Sequence, residues 1–169
     1  LSAAIRLLVG RNWHLALAGQ GSAHAELSAL AASIGVADRV HFVGELPPAR
    51  IGAFLRALDV FVFPSLAETF GLAPVEAAQA GVPVVACAAG GVPEAVADGD
   101  TGLLVEPGNA LALAEGVIKL LDDPNWRLQL GTAAAARIRA QFSPDRMTES
   151  YIELYREVRA LAPAVQLQA

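Results

Sequence analysis

At 169 residues, 54% apolar and 17% charged, the chain has the size and composition of about one globular domain, which excludes intrinsic disorder. Twelve Lys and Arg against 17 Asp and Glu leave a formal net charge of -5, which excludes the basic footprint of a nucleic-acid binder. A single cysteine, Cys87, excludes an internal disulfide, three scattered histidines exclude a zinc-ligand spacing, and short, interrupted apolar runs give no membrane span or signal peptide, so a cytoplasmic location is expected.

In chain order, the first element is a helix pattern through Ala3, Ala4, Leu7 and Leu8. Leu1 enters it without an initiator Met, so a longer protein is expected. Short apolar strands then alternate with amphipathic helices. Strands are expected at 13–18, 39–43, 59–63, 83–87 and 102–105, and helices at 23–34, 49–57, 72–80, 93–97 and 110–121. Val60-Phe61-Val62-Phe63 lacks in/out alternation, as a strand buried on both faces would. This repetition with short connections implies right-handed parallel crossovers and an α/β fold, a Rossmann-like doubly wound parallel sheet. Asp123-Pro124 places a capping Asp before a Pro at the first helical position and starts a helix towards Ala140. Ser143-Pro144 repeats the device for a final helix, whose Met147, Tyr151, Leu154, Tyr155 and Val158 form a stripe that reads as core packing. The tail 164–169 carries no structure signal.

In an open parallel sheet, ligands sit beyond the carboxyl ends of the strands. The segment after the third strand, Pro64-Ser65-Leu66-Ala67-Glu68-Thr69-Phe70-Gly71-Leu72-Ala73-Pro74-Val75-Glu76, is the most unusual in the chain. It turns through small and polar residues and opens a helix at about Phe70 or Gly71. The N–H groups of Phe70, Gly71 and Leu72 would then point into the cleft, where the helix dipole favours an anion and Gly71 lets a phosphate approach. Glu76 lies roughly 7.5 Å along the axis from Gly71, about the distance from a nucleotide's phosphates to its ribose diol. Glu68, before the helix, would face the group on the far phosphate. Together these features describe a sugar nucleotide. The plainer alternative is an exposed helix residue at Glu76 and an acidic group favoured near a helix N-terminus at Glu68.

Glu68-Thr69-Phe70-Gly71-Leu72 followed by Glu76-Ala77 resembles the two-glutamate motif of retaining glycosyltransferase family 4 (glycosyl transferases group 1), which has the two-domain GT-B fold. Gly19-Gln20-Gly21, Val40-His41-Phe42-Val43-Gly44, Asp59-Val60 leading to Pro64-Ser65, and Gly81-Val82-Pro83-Val84-Val85 resemble further blocks of that family, in its order. So do Gly90-Gly91-Val92-Pro93-Glu94, Asp98-Gly99 and Thr101-Gly102-Leu103-Leu104-Val105, and the resemblance runs from about Ala4 to Tyr155.

The resemblance implies the donor-binding half of an enzyme that transfers a hexose from a UDP- or GDP-sugar with retention of configuration, without a metal or other cofactor. It sets Glu68, the catalytic candidate, on hydroxyls of the donor sugar, and Thr69, Phe70, Gly71 and Leu72 on the sugar and diphosphate. Glu76 falls to the ribose, Glu45 and especially Leu46 to the nucleobase, Gly19 and Gly21 to the nucleotide cleft, and Ser65 to the donor-contacting set. Front-face attack assisted by the leaving phosphate makes catalysis mostly positioning and electrostatic stabilisation. An Arg and a Lys that neutralise the diphosphate, and the acceptor-binding N-terminal domain, are expected upstream of Leu1. The chain alone is therefore expected not to transfer sugar, and membrane association would come through that other half. Residues 1–142 are expected to form the donor domain, and 143–169 a crossover helix and tail. That helix crosses back to the N-terminal domain, leaving the face of Tyr151 and Tyr155 partly exposed.

The weaker signals have plainer readings. Asp98-Gly99-Asp100 has the form of a metal-binding Asp-x-Asp, but Asp-Gly is a turn dipeptide before a strand. Gly90-Gly91 with Glu94 either approaches the donor sugar or makes a tight turn. Cys87 reads as a buried small hydrophobe, and His14, His24 and His41 as packing or surface residues. The competing functions are a GT-B sugar-nucleotide epimerase and a non-catalytic nucleotide-binding or interaction module. A dinucleotide oxidoreductase is disfavoured, because Ala23 and His24 stand where the third fingerprint glycine would be.

Overall fold

Each short apolar run is bounded by turn residues and followed by a segment of helical periodicity, so strands and helices alternate. A computed structural model of the chain describes residues 12–161. Its elements are β1 (Leu15–Ala18), α1 (His24–Ser33), β2 (Val40–Gly44), α2 (Pro48–Arg56), β3 (Phe61–Phe63), α3 (Leu72–Gln79), β4 (Val84–Cys87), α4 (Val92–Ala95), β5 (Gly102–Val105), α5 (Ala110–Asp122), α6 (Pro124–Gln141) and α7 (Pro144–Leu161). The expected helix through Ala3 and Leu8 and the tail 164–169 lie outside the described residues.

Every strand pairing is parallel, as the intervening helices require. β1 pairs with β2, Leu15 opposite Val40, and β4 lies between β3 and β5, with Val84 opposite both Phe61 and Gly102. Among the described residues no ladder joins β1 to β3, so the expected sheet stands as two parallel pieces. They share one core: Trp13 and Val40 pack with Val85 and with Leu113, Val117 and Leu120 of α5, flanked by Leu15, Leu17, Val60 and Val62. The opposite face of β4 packs Val84 and Ala86 against Leu55 of α2, Ala77 of α3, and Val92 and Ala95 of α4.

Covered by helices on both faces and by strands on both edges, β4 buries all four residues, Cys87 among them. Both faces of β3 are packed, as expected of Val60-Phe61-Val62-Phe63: Val60 and Val62 lie on one cluster and Phe61 and Phe63 on the other, while Phe61, Val62 and Phe63 each stay half-buried. β3 is an outer strand of its ladder, and residue type does not encode that position.

The cap signals behave as read. Ser143 Oγ accepts from the Arg146 N–H at 3.2 Å, with Pro144 opening α7, and Asp123 Oδ1 accepts from the Trp126 N–H at 2.9 Å, with Pro124 opening α6. Arg127, one turn in, pairs with Asp59 at 3.0 Å and donates to the Leu120 carbonyl, tying α6 to the entry of β3. Replacing the Asp123 acceptor by Asp123→Ala is expected to cost about 1 kcal/mol and lower Tm by about 2–4 °C in a thermal melt followed by circular dichroism. Asp123→Asn, which keeps an acceptor, should lose less.

The core-packing reading of the last helix is overturned. Met147 (58% exposed), Tyr151, Leu154, Tyr155 and Val158 all face outward, and α7 buries none of its residues. Tyr151 and Tyr155 touch only along their own helix face, ring centroids 6.4 Å apart. After Phe142 the chain leaves the body of the domain, and the described residues present nothing for the stripe to pack on.

Candidate functional site

The 64–71 loop is built by the end of β3 and the start of α3. Pro64 follows the last paired residue, and the Ser65 hydroxyl donates to the Ala67 carbonyl at 2.9 Å, folding the chain back locally. Glu68 is half-buried and its Oε1 accepts from the Thr69 N–H at 3.0 Å. Gly71 then caps α3 with φ 89° and ψ 63°, left-handed values that favour glycine, and a Cβ there would meet Val92 Cγ2 at 3.2 Å.

With Gly71 as the cap, the helix starts at Leu72, the first residue of the expected 72–80 helix. The first N–H groups without intrahelical acceptors are those of Gly71, Leu72 and Ala73, which include the expected Gly71 and Leu72. Pro74, at the third position, brings no donor. Phe70 instead turns its ring onto Phe142 at the α6–α7 junction, centroids 5.6 Å apart.

A second loop, after β4, lies directly against the first. The Gly91 N–H donates to the Thr69 carbonyl at 3.1 Å. A Cβ on Gly90 would overlap the Glu68 carbonyl oxygen, and one on Gly91 would sit 2.7 Å from the Thr69 oxygen. The Gly90-Gly91 pair thus serves backbone contact with the Glu68 loop. Glu94 is exposed on the four-residue α4, and its carbonyl accepts from Arg137 Nη2 at 3.0 Å.

Glu76 stands five residues beyond Gly71 on α3, exposed, and its carboxylate meets no hydrogen-bond or ion-pair partner among the described residues. Two carboxylates therefore flank a helix start with free donors, which can bind an anion and, one turn on, a hydroxyl pair. Among the described residues no three His, Cys, Asp or Glu side chains group as a metal-ligand set. Asp98 Oδ1 accepts from the Leu104 N–H at 2.9 Å, so the Asp98-Gly99-Asp100 segment does the work of a turn.

Gly19 and Gly21 are not in this loop. They line an open cleft of about 640 Å³ at the carboxyl ends of β1 and β2, together with Gln20, His24, Phe42 and Gly44. Gly19 and Gly44 close its floor by a 2.7 Å N–H to carbonyl bond. Glu45 and Leu46 follow β2 immediately, Leu46 half-buried, and neither lines the cleft.

His24, expected as a packing or surface residue, is exposed and packs on a neighbouring ring, and it also lines this cleft. It opens α1 and its ring leans on Phe42, centroids 4.4 Å apart, within the cleft wall. The available signal was its place as the first helical residue after a Gly-x-Gly turn. His14 and His41 stay at the surface and share a 2.9 Å hydrogen bond between Nδ1 and Nε2.

Comparison with known proteins places this geometry. Residues 1–137 match the family described as Glycosyl transferases group 1. A D-inositol 3-phosphate glycosyltransferase of Acidothermus cellulolyticus is 42% identical over 134 residues, 79% of this chain and 30% of that protein. Sucrose-phosphate synthase from Thermosynechococcus elongatus superposes with a TM-score of 0.81 at 32% identity, covering 95% of this chain and 42% of that one. HepE from Anabaena, solved in complex with UDP-glucose, does so with a TM-score of 0.82 at 27% identity, covering 93% and 44%. The chain spans about a quarter to a third of the length of the curated relatives it matches. Its parallel α/β architecture matches the Rossmann-like C-terminal domains of GT-B glycosyltransferases, and the chain belongs to the glycosyl transferases group 1 family.

Proposed function

We propose that this chain is the donor-binding half of a retaining family 4 glycosyltransferase that transfers a hexose from a UDP- or GDP-sugar. The observation that carries this reading is the start of α3: a left-handed Gly71 cap with free donors, flanked by Glu68 and an unpartnered Glu76. The sugar nucleotide's diphosphate lies at the Gly71–Ala73 amides, its ribose diol on Glu76, and its sugar hydroxyls on Glu68, with Thr69, Leu72 and Ser65 shaping the loop. UDP-glucose in the HepE structure supports the ligand class.

In the transfer step the bond from the anomeric carbon to the diphosphate oxygen breaks as the acceptor oxygen bonds the same face. The departing phosphate takes the acceptor's proton. No metal is invoked: the amides and a basic pair upstream of Leu1 carry the developing charge. The acceptor site belongs to a second domain, against which the apolar face of α7 packs, and this chain alone turns over no sugar. Cytoplasmic placement follows from the supply of sugar nucleotides, with any membrane association through the other domain.

The test is a calorimetric titration of the chain with UDP, GDP and ADP and their glucose or mannose conjugates, beside Glu76→Ala. One nucleotide should bind selectively, and Glu76→Ala should weaken it by about tenfold or more through loss of charge-assisted hydrogen bonds. Failure of every ligand at millimolar concentration, in this chain and in one extended upstream, would leave a non-catalytic module as the better reading. Turnover of a sugar nucleotide onto an acceptor by this chain alone would refute the two-domain requirement.

A further inference from the structure

The cleft at the ends of β1 and β2 has a lining unlike that of the Glu68 loop. Of its six lining residues three are glycines, so much of the wall is bare backbone. The side chains with chemistry are two rings, His24 and Phe42, and the carboxamide of Gln20. The two rings are in contact, tilted 48° with centroids 4.4 Å apart, so Phe42, half-buried in the sheet, backs the imidazole. His24 itself is exposed and lines the cleft, leaving the rest of its ring open to a ligand. At about 640 Å³ the cleft falls in the range of small-molecule sites.

A flat aromatic ring backed by a second ring, beside a carboxamide with two donors and an acceptor, suits a planar heterocycle with a hydrogen-bonding edge. We infer that His24 is a specificity-determining residue for the nucleobase of the donor: its imidazole stacks on the base while Gln20 reads the edge. The inference rests on the donor-binding reading above and adds the side chains that select the base. His24 opens α1 directly after the Gly19-Gln20-Gly21 turn, its N–H 3.3 Å from the Gly21 carbonyl, so its position is set by backbone and not by a mobile tail.

The test measures affinity for UDP, GDP, ADP and the base-free ribose 5-phosphate in the unmodified chain and in His24→Ala, His24→Phe, Gln20→Ala and Glu76→Ala. His24→Ala should weaken the preferred nucleotide by about tenfold or more, the scale of one lost base–aromatic stack, and narrow the spread among the three bases. It should leave ribose 5-phosphate unchanged. His24→Phe should recover most of the affinity, and Gln20→Ala should narrow the spread with a smaller loss. Glu76→Ala should weaken all four ligands alike. Nucleotide affinities and ranking unchanged in His24→Ala, with Glu76→Ala impaired, overturn this inference and leave the donor reading standing. An equal loss for ribose 5-phosphate also overturns it, by showing that His24 acts on the loop and not on the base. No binding of any nucleotide by the unmodified chain, or by one extended upstream, overturns both.

Discussion

Gly90→Ala is expected to abolish measurable nucleotide binding while leaving the fold in place. A methyl group at Gly90 would overlap the Glu68 carbonyl oxygen and come within 2.7 Å of the Glu68 carbonyl carbon. Both are backbone atoms, so no side-chain rotation relieves the contact, and the loop that carries Glu68 and the Gly71 cap must move. The Gly91 N–H to Thr69 carbonyl bond, which joins the two loops at 3.1 Å, would break with it. The φ of 55° at Gly90 adds about 1–2 kcal/mol of left-handed strain for an alanine. The hydrophobic clusters on both faces of β4 contain neither loop tip, so the melt should stay cooperative with a modest fall in Tm. Gly99→Ala separates strain from collision. Its φ is 77°, but nothing lies within 4 Å of the added carbon, so it should melt lower and still bind. Calorimetric titration and thermal melts of both variants decide the matter. Gly90→Ala binding nucleotide like the unmodified chain would show that the loop contact does not position the site.

The parts of the fold legible in sequence are those written locally. Val84-Val85-Ala86-Cys87 is a short apolar run after a Pro, and it is the buried central strand. Asp123-Pro124 and Ser143-Pro144 announce helix starts by chemistry that acts within three residues. The Glu68–Glu76 segment was readable because its glycine, its two carboxylates and its place after a strand all sit in one stretch. What was not readable depends on partners far along the chain. The half-burial of Phe61 and Phe63 depends on β3 being an outer strand of its ladder. The left-handed cap at Gly71 lies against Val92, which opens α4 after the next strand. The support of Phe70 by Phe142 joins the two ends of a long stretch of chain. The stripe on α7 shows what its spacing does and does not carry: helical periodicity marks one apolar face of the helix, but not whether the rest of the domain packs on that face. That His24 lines a cleft with Phe42 was not readable, because the two meet only once β1 and β2 pair.

Gly131→Ala is expected to destabilise the whole domain, against the sign of its local propensity. Inside a helix, Ala is favoured over Gly by about 0.8–1.0 kcal/mol, and Gly131 lies within α6. Yet a Cβ there would overlap the Gly81 carbonyl oxygen, approach the Gly81 carbonyl carbon at 3.1 Å and touch Pro83 Cδ at 3.2 Å. This is the point where α6 presses on the turn leading into β4, flanked by buried Leu130, Ala134, Ala135 and Ile138. Overpacking of this kind typically costs about 1–3 kcal/mol, and at about 2–4 °C per kcal/mol for a chain of this size a clear fall in Tm results. Gly116 on α5 is the control. Its added Cβ would meet Val85 Cγ1 at 2.9 Å and Leu103 Cδ1 at 3.6 Å, side-chain and not backbone atoms, so Gly116→Ala should lose less. The effect should also reach the site. Ala134 and Ile138 of α6 pack on Ala78 of α3, the helix whose first turn offers the anion-binding amides. A displaced α6 therefore tilts α3, and nucleotide affinity should fall along with Tm in Gly131→Ala but not in Asp123→Ala, which loosens only the far end of the same helix. A Gly131→Ala chain that melts at or above the unmodified one would mean that helix propensity outweighs the backbone contact with Gly81.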